Sequence, residues 1–445
     1  MTATTAMATA STATHGLDLS ALHPAVGDPL LSSMNFLNEI AGRHPDALSL
    51  AAGTPYEGFY DVEDIHRALR VFGDHLRTEQ GYGEERVRRT LLQYGRTKGI
   101  IHELIARQLS VDEGIDVDPE AVLVTTGCQE ALFLTLRLLR RDDRDVLLAV
   151  TPAYVGVTGA ARLLDLPVHP VAEGPDGVDL DDLRRRIGEA RAAGLRPRAL
   201  YVVPDHANPS GIRMPEPVRR GLLDLADQED ILLLEDNPYG LFPRRGHRLP
   251  TLKALDTARR VVHLGSLAKT VFPGVRIGYA VADQPVESGP YLADLLAKAK
   301  SMVTVNTSPI AQAVAGGRLL EHGCSLVRAN ERESEVYREG LDRIVDGLAR
   351  RFPDPSASGV SWNSPEGGFF VVVDVPFDVT DAVLERSARD HRVLWTPLHH
   401  FYDAAASETG AGGGALRRLR LSCSALGPED IEEALDRFAA FVRSA

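Results

Sequence analysis

The stretch VVHLGSLAKT, residues 261–270, places Lys269 in a loop of small residues directly after a strand-like apolar run. Helical patterns, such as that of residues 129–139, separate this run from others like it. Continuous apolar runs that alternate with helices are typical of a parallel-type sheet that is buried on both faces. The sequence therefore predicts an α/β domain with crossover connections. The other apolar runs lie at residues 121–126, 146–150, 199–203, 231–234 and 277–281.

Charged residues follow two of these runs, at the sheet edge where α/β proteins bind their ligands. The run at 231–234 leads into Glu235 and Asp236, with Tyr239 three residues later. Two carboxylates at the end of an apolar strand are costly to bury, so at least one should meet a cation or a protonated nitrogen. Lys269 follows the next run, and a desolvated lysine is a good Schiff-base amine.

Two further loops carry weaker signals. The run at 121–126 leads into Gly127, Cys128 and Gln129, a glycine turn that opens a helix. Backbone N–H groups at a helix N-terminus bind anions such as phosphate, although a plain strand-to-helix turn explains the same residues. The run at 199–203 leads into a turn that contains Asn208 and a proline, which is ordinary turn chemistry.

The composition excludes several classes of protein. The 445 residues include 49 Lys and Arg against 62 Asp and Glu, and the net charge of −13 argues against a nucleic-acid partner. Three scattered cysteines are too few for a disulfide framework or a zinc site, so we predict no metal site. No apolar run reaches the length of about 18 residues that a membrane span needs, so we predict a cytoplasmic protein with no membrane partner.

The order and spacing of these motifs resemble those of the fold-type I, pyridoxal-phosphate-dependent aminotransferases of class I/II. In that family a phosphate turn is followed by a ring-stacking aromatic residue, Asn-Pro-Thr/Ser-Gly, Asp-x-x-Tyr, Ser-x-x-Lys and a late arginine. The resemblance runs from about Leu48 to the C-terminus. It implies an α/β fold with a large, mainly parallel seven-stranded sheet domain and a smaller α+β C-terminal domain. It also implies pyridoxal 5′-phosphate as the cofactor.

The resemblance implies a role for each residue around the cofactor ring. Lys269 would be the catalytic residue, which forms a Schiff base with the cofactor and carries the proton between Cα and C4′. Asp236 would pair with the pyridinium nitrogen and keep it protonated, which makes the ring an electron sink. Asn208 and Tyr239 would hydrogen-bond the 3-oxygen. Tyr154 would stack on the ring face, with core packing as its alternative role.

The same resemblance implies the groups that bind phosphate and substrate. Arg420 would clamp the substrate α-carboxylate as a planar fork, with Gly53 and Asn208 beside it. Tyr94 matches a tyrosine that family members lend across a dimer interface to the neighbour's phosphate, so a homodimer with shared active sites is expected. The remaining phosphate contacts would come from Cys128, Gln129, Ser266 and Arg276.

Three positions depart from the family pattern. Ala268 stands where many relatives carry a second serine, and Cys128 stands where serine is common, so cofactor affinity should be affected. The segment from Trp395 to Tyr402 replaces a Pro-Gly-x-x-Phe loop and contains His399 and His400. These histidines either recognise a polar substrate or are exposed loop residues, and the sequence does not separate the two.

The predicted organisation has four parts. Residues 1–27 form a disordered N-terminal tail, and 28–75 form an N-terminal arm that belongs to the small domain. Residues 76–315 form the large PLP-binding domain, and 316–445 form the small C-terminal domain, after a helix-prone segment that begins at Ser308 and runs through Arg351. Strands of the small domain are expected at residues 368–375, 393–395 and 419–422.

Three functions are considered, and two of them are compatible with these features. The first is an aminotransferase that moves an amino group between an amino acid and a 2-oxo acid. The second is decarboxylation, deamination or β-elimination on a modified amino acid, as in lincosamide-pathway relatives, because the fold does not decide which bond breaks. A fused regulator is set aside, because no basic helix-turn-helix segment precedes residue 50. Stretches at 33–39, 93–99 and 127–130 look similar to the 3,5-dihydroxyphenylglycine transaminase branch of actinobacterial antibiotic pathways, which implies an aromatic or arylglycine-type substrate.

Overall fold

The computed structural model describes residues 16–244, 247–287, 289–402 and 415–445. The predicted disordered tail stays a prediction for residues 1–15, which lie outside this range. In the rest of that segment, 3-10 helices span Leu19–Ala21 and Pro24–Gly27. Strands in the described part are β1 (Leu48–Ser49), β2 (Val122–Thr126), β3 (Asp145–Thr151), β4 (Val168–Gly174), β5 (Gly177–Val178), β6 (Arg196–Val202), β7 (Leu232–Asp236), β8 (Val261–Ser266), β9 (Ile277–Val281), β10 (Ser361–Trp362), β11 (Phe370–Asp374), β12 (Val393–Leu394), β13 (Thr396–Pro397) and β14 (Arg418–Ser422).

Helices separate most of these strands. The α-helices in the described part are α1 (Pro29–Arg43), α2 (Val62–Thr78), α3 (Glu84–Leu92), α4 (His102–Glu113), α5 (Cys128–Leu139), α6 (Val155–Leu163), α7 (Leu180–Ala192), α8 (Glu216–Gln228), α9 (Leu252–Leu255), α10 (Leu292–Val303), α11 (Pro309–Glu321), α12 (Leu326–Ala329), α13 (Glu331–Arg351), α14 (Pro355–Ser358), α15 (Asp381–Arg386) and α16 (Pro428–Ser444). Shorter 3-10 helices include Pro273–Val275 and Leu398–Phe401.

The large sheet has the strand order β2-β9-β8-β7-β6-β3-β4-β5. The five strands β8, β7, β6, β3 and β4 run parallel to one another, whereas β9 is antiparallel to both β2 and β8. All seven residues of β3 are buried, as a continuous apolar run predicts for a strand with helices on both faces. The mainly parallel sheet is confirmed, and it has eight strands instead of seven because the two-residue strand β5 adds an antiparallel edge.

The smaller sheet has the antiparallel order β10-β11-β14-β13, beside a parallel pair of β1 and β12. Because β1 pairs with β12, the N-terminal segment joins the core of the C-terminal region, where Leu50 packs with Trp395 and Phe438. The expected helix-prone segment over 308–351 is three helices in the structure. Gly323 and Cys324 both adopt positive φ and end α11, and Ser325 then caps α12.

Helices α2 and α11 pack tightly together against the large sheet. At Gly317 a Cβ atom would lie 2.0 Å from the carbonyl oxygen of Ala68, so only glycine permits this crossing. The predicted boundaries after residues 75 and 315 fall inside these two helices, whose buried residues Phe72 and Leu319 share a cluster with strand β2. The division into domains otherwise stays a prediction. Among the described helices, none combines the length and apolar character that a membrane span requires.

Candidate active site

Most of the predicted site residues meet where the carboxyl ends of the parallel strands face the smaller sheet. Asp236 ends β7, Ser266 ends β8, and Lys269 follows three residues later. The segment after β1 joins the two sides of the site. Lys269 Nζ donates a hydrogen bond to the carbonyl oxygen of Gly53 at 2.7 Å, and Arg420 Nη2 donates to that of Ala51 at 2.7 Å.

Asp236 is a buried carboxylate, 7% exposed, without a cationic partner among the residues described. Its oxygens accept hydrogen bonds from the Tyr201 hydroxyl at 2.6 Å and from the Cys128 thiol at 3.6 Å. Burial raises the pKa of Asp236, although these two hydrogen bonds oppose the shift. A protonated nitrogen placed beside Asp236 would therefore restore its charged form.

The positive charges of two arginines act on Lys269. Burial lowers the pKa of Lys269 to about 8, and the positive charges of Arg420 and Arg276 contribute in the same direction. A lowered pKa raises the fraction of neutral amine near neutral pH, and the neutral amine is the form that attacks a carbonyl. Lys269 has no carboxylate partner among the described residues.

Arg420 lies in the middle of β14 and is 6% exposed. Its hydrogen bonds go to neutral acceptors: the carbonyl of Ala51, the Asn208 side-chain oxygen and the Thr396 hydroxyl. Its Nε has no partner among the described atoms. Burial lowers the pKa of Arg420 to about 10. A buried guanidinium without a counter-ion is costly, so this group is suited to an anionic ligand.

Aromatic rings surround Arg420 and the residues beside it. The guanidinium carbon lies 4.1 Å from the centre of the Phe370 ring and 5.2 Å from that of Phe401. Tyr239 packs edge-on against Phe370, with 5.4 Å between ring centres, and its hydroxyl group hydrogen-bonds with Asn208. Burial raises the pKa of Tyr239 well above its usual range. The predicted contacts Asn208 and Tyr239 therefore lie in one network with Arg420.

The Gly127 turn has the features of an anion site. Gly127 adopts φ +74° and gives α5 no side-chain cap, which leaves the first N–H groups of that helix without an intrahelical acceptor. A Cβ on Gly127 would lie 2.7 Å from the guanidinium of Arg276, and a Cβ on Gly278 would lie 2.3 Å from the backbone nitrogen of Cys128. Two glycines therefore let the helix N-terminus, the arginine and strand β9 come together beside Ser266.

The side chains of Cys128 and Gln129 bond to other groups and are not free to contact a phosphate. The Cys128 thiol contacts Asp236, and the Gln129 amide donates to the carbonyl oxygen of Gly156 at 2.7 Å. Only the backbone N–H groups of these two residues are therefore left for an anion. The Tyr154 ring lies over Gly156, where an added Cβ would approach it to 2.2 Å, and burial with the nearby Asp236 charge raises the pKa of Tyr154 to about 12.

Tyr94 is the predicted site residue that the single chain does not bring to the cluster. Its side chain is 83% exposed, in the loop after α3. Glu235, in contrast, is fully buried on the other side of β7. It accepts hydrogen bonds from the backbone N–H groups of Leu252 and Lys253 and from His263, so it holds the start of α9.

Sequence reasoning missed three residues of the site: Tyr201, Phe370 and Phe401. In the sequence Tyr201 is one residue of an apolar strand. A tyrosine hydroxyl in a buried strand needs a hydrogen-bond partner, and this signal could have identified it. The partner is Asp236, which ends the adjacent strand β7. A cavity of about 550 Å³ lies beside the cluster and is lined by Glu173 and Arg418 among others. Its residue Val372 pairs with Arg420 across the small sheet, so the cavity adjoins the site.

The family model described as aminotransferase class I and II matches residues 57–438 of this chain. The chain belongs to the class I and II aminotransferases. A transaminase of (S)-3,5-dihydroxyphenylglycine from Amycolatopsis orientalis is 51% identical to this aminotransferase over 426 residues, which cover 96% of this chain and 94% of that protein.

Solved structures agree with this membership. The α-aminoadipate aminotransferase LysN from Thermus thermophilus, complexed with N-(5′-phosphopyridoxyl)-L-leucine, has a TM-score of 0.77 at 29% identity and covers 96% of this chain and 99% of its own. Kynurenine aminotransferase from Pyrococcus horikoshii, in complex with PMP, has a TM-score of 0.77 at 25% identity and covers 94% of both chains. The fold-type I architecture and pyridoxal 5′-phosphate as the cofactor of this aminotransferase follow.

The residues present fit this cofactor. An uncapped helix N-terminus with Arg276 beside it suits a phosphate, and the buried carboxylate of Asp236 suits a protonated ring nitrogen. Lys269, whose pKa is about 8, suits an aldehyde. The four consecutive strands β2, β9, β8 and β7 of the sheet bring these groups to one edge, so one flat ligand can contact all of them.

Proposed function

We propose that this aminotransferase takes the amino group from an arylglycine-type or other aromatic amino acid and gives it to a 2-oxo acid, in a secondary-metabolite pathway. One observation carries the mechanism: among the described residues Lys269, Asp236 and Arg420 have no counter-ion, and all three lie where the large sheet faces the smaller one. The 51% identity to the transaminase of (S)-3,5-dihydroxyphenylglycine supports the substrate class.

The pyridoxal cofactor supplies an aldehyde and an electron-accepting ring when it is bound. Lys269 would bind that aldehyde and, once released by the substrate amine, would accept the substrate's Cα proton as a neutral amine and return it on the cofactor side. Asp236 would keep the ring nitrogen protonated, with Tyr201 holding the carboxylate in place. Cys128 and Gln129 N–H groups, Ser266 and Arg276 would hold the phosphate.

Arg420 would decide which bond to Cα breaks. A guanidinium that holds the α-carboxylate with two hydrogen bonds keeps that carboxylate fixed and leaves the Cα proton directed at Lys269. The side chain of Asn208 and the backbone around Gly53, which already contact Arg420 and Lys269, would complete this carboxylate site. Decarboxylation would need the carboxylate to leave the clamp, so proton transfer is the expected reaction.

Aromatic side chains near the clamp support an aromatic substrate. Phe370 and Phe401 lie against the Arg420 guanidinium, and Tyr154 and Tyr239 lie nearby around the same network. A substrate ring would pack on these faces with offset or edge-on contacts.

The test is a single-turnover half-reaction of the holoenzyme with matched amino acids. (S)-3,5-dihydroxyphenylglycine and phenylglycine are compared with phenylalanine, which differs from phenylglycine by one methylene, and with leucine. We expect pyridoxamine phosphate and a 2-oxo acid in equal amounts, no CO₂, and the largest kcat/KM for the arylglycines. One methylene changes such ratios by roughly 10- to 200-fold.

Two results would contradict this proposal. Stoichiometric CO₂, ammonia or a released thiol from the best substrate would establish the decarboxylase, deaminase or β-eliminase alternative. A preference for leucine over both arylglycines would leave the transamination intact and overturn the substrate class.

We also propose that the working unit is a homodimer in which Tyr94 contacts the partner's phosphate site. Exposed apolar side chains on both sides of Tyr94 support this proposal, since an exposed apolar surface is suited to a partner chain. The next residue, Gly95, lies close to Asn306 and Pro309, so the segments 92–95 and 302–310 form one surface. Thr304 and Lys300 of the same region bond to Glu130, one helical turn from the Gly127 turn. The exposed apolar side chains there are Leu92, Tyr94, Met302, Val303, Val305 and Ile310.

Mixed dimers test the shared site. A chain with Tyr94→Phe and a chain with Lys269→Ala are each expected to be impaired, but one of the two sites in a hybrid carries neither change. Activity should therefore recover in part when hybrids form, as measured after tagged purification of the hybrid. Hybrids without any recovery would show that Tyr94 acts within its own chain or not at all.

A further inference from the structure

Two histidines and an aspartate form a cluster outside the proposed cofactor site. His399 and His400 lie in the 3-10 helix Leu398–Phe401, and Asp381 is the first residue of α15. One nitrogen of each imidazole and one oxygen of Asp381 lie within 4.8 Å of one another. The small number of cysteines led us to predict no metal site, and Asp381 approaches the histidine pair only through the fold.

The hydrogen bonds around His400 assign its proton. The Ser33 hydroxyl donates to the carbonyl oxygen of Pro29 at 3.2 Å, so its single proton is committed there. When the Ser33 hydroxyl donates to Pro29, Nδ1 of His400 is the donor across the 2.9 Å to the Ser33 oxygen. In a neutral imidazole the other nitrogen, Nε2, then carries only a lone pair.

This lone pair faces a carboxylate. His400 Nε2 lies 2.8 Å from Asp381 Oδ1, and His399 Nε2 lies 3.5 Å from the same oxygen. Two acceptors at hydrogen-bond distance repel each other unless a cation lies between them. His400 is 6% exposed, so little water reaches its side of this contact.

We propose that His399, His400 and Asp381 bind a divalent transition-metal ion of the zinc type. Two imidazoles and one carboxylate are a ligand set that such ions use, with a fourth position left for water. Ligands about 2.0–2.1 Å from a tetrahedral zinc ion lie about 3.3 Å apart, close to the 2.8 Å and 3.5 Å observed here. The contact between His400 Nδ1 and Ser33 is the outer hydrogen bond that orients a metal-binding histidine.

The site would connect three parts of the chain. Ser33 belongs to α1, Asp381 to α15, and the histidines directly precede Phe401, whose ring lies 5.2 Å from the Arg420 guanidinium carbon. A bound ion would fix α1 and the Phe401 backbone relative to α15. Metal binding would therefore stabilise the holoenzyme against heat and fix the position of Phe401 beside Arg420.

The test is metal binding by the chelator-treated holoenzyme, titrated with Zn²⁺ alone in a calorimeter and with Co²⁺ by its visible absorption. We expect one equivalent per chain and the absorption bands of tetrahedral Co²⁺ with nitrogen ligands. His399→Gln and Asp381→Asn each remove one ligand. Because loss of an outer hydrogen bond alone weakens metal sites about 10- to 100-fold, each variant should lose at least that much affinity.

Matched variants separate this site from other metal-binding groups. His66 pairs with Glu63 at 3.2 Å and offers only two ligands, so His66→Gln should leave the titration unchanged. Ser33→Ala keeps all three ligands and should weaken binding less than the ligand variants do. The proposal is overturned if the parent binds no Zn²⁺ or if both ligand variants bind it as the parent does. It is also overturned if nitrogen NMR of the enzyme in excess Zn²⁺ shows both ring nitrogens of His400 protonated at neutral pH.

Discussion

Two buried arginines contact the same segment of chain, Pro204 to Gly211, but have different partners. Arg219 is fully buried and bonds both oxygens of Asp205, at 2.6 and 3.0 Å, together with three backbone carbonyls. Arg420 is nearly as buried and meets the neutral side chain of Asn208. Among the described residues, Arg219 thus has a counter-ion and Arg420 has none, as expected if a ligand brings the negative charge to Arg420.

Removal of Arg219 should have the largest effect on stability. Arg219→Ala leaves Asp205 buried without a counter-charge, and breaking such a pair costs about 3–5 kcal/mol. We expect Tm, measured by calorimetry on the holoenzyme, to fall by at least about 5 °C. The control is Arg220→Ala on the same helix, whose exposed pair with Glu216 contributes less than about 1 kcal/mol. Equal melting of both variants would remove the contrast between the two arginines.

Removal of Arg420 should affect turnover instead. Arg420→Ala deletes a buried charge that no carboxylate of the described chain neutralises, so Tm should stay the same or rise. The kcat/KM for amino acids should fall about 10- to 100-fold, because hydrogen bonds to a charged group contribute roughly 1.5–3 kcal/mol. Arg420→Lys should restore little, since an ammonium lacks the planar fork.

The same strand offers a control for Arg420. Arg418 pairs with Asp374 at 2.7 Å and is partly exposed, so Arg418→Ala should leave kcat/KM within about threefold of the parent. If Arg420→Ala lost stability as Arg219→Ala does, while kcat/KM stayed unchanged, Arg420 would be a structural residue.

The sequence predicted the site residues that a local pattern marks and missed those that depend on contacts between strands. Asp236 and Lys269 were predictable because each directly follows an apolar run, and parallel strands bring their carboxyl ends to one edge. Strand β4 was missed because His169 and Pro170 interrupt its apolar pattern near the sheet edge. The partner of Tyr201 lies 35 residues away on the next strand, so no local pattern shows it.

Features that depend on distant contacts were not predictable at all. His400 is joined to Ser33 across 367 residues of chain, and Asp381, which both histidines approach, comes from another helix. The turns that divide the helix-prone segment at 308–351 rest on positive φ at Cys324, which its residue type does not announce.

Asp236 is a third buried charged group, and removing its hydrogen-bond donor should have a smaller effect than removing either arginine. Tyr201→Phe removes the hydroxyl that donates to this carboxylate at 2.6 Å and leaves the packing of the ring. The pKa of Asp236 should rise further, because this hydrogen bond opposes the effect of burial. A protonated Asp236 pairs less well with the ring nitrogen, so cofactor affinity should fall about tenfold, measured by fluorescence titration of the cofactor-free protein. Unchanged affinity in Tyr201→Phe would show that the hydroxyl only fills space.

The smallest expected effect is the pH dependence of cofactor capture by Lys269, whose pKa also depends on the charge of Arg420. Its pKa of about 8 means that about 10% of the amine is neutral at pH 7 and about half at pH 8. The rate at which cofactor-free protein captures pyridoxal phosphate should therefore rise about fivefold between pH 7 and 8 and level off above pH 9. A surface lysine with a pKa near 10.4 would keep rising through that range. Arg420→Ala removes a like charge and should shift the profile to higher pH, while Arg418→Ala should not.

Borohydride reduction and peptide mapping should place the label on Lys269, and a label on another lysine would refute its assignment.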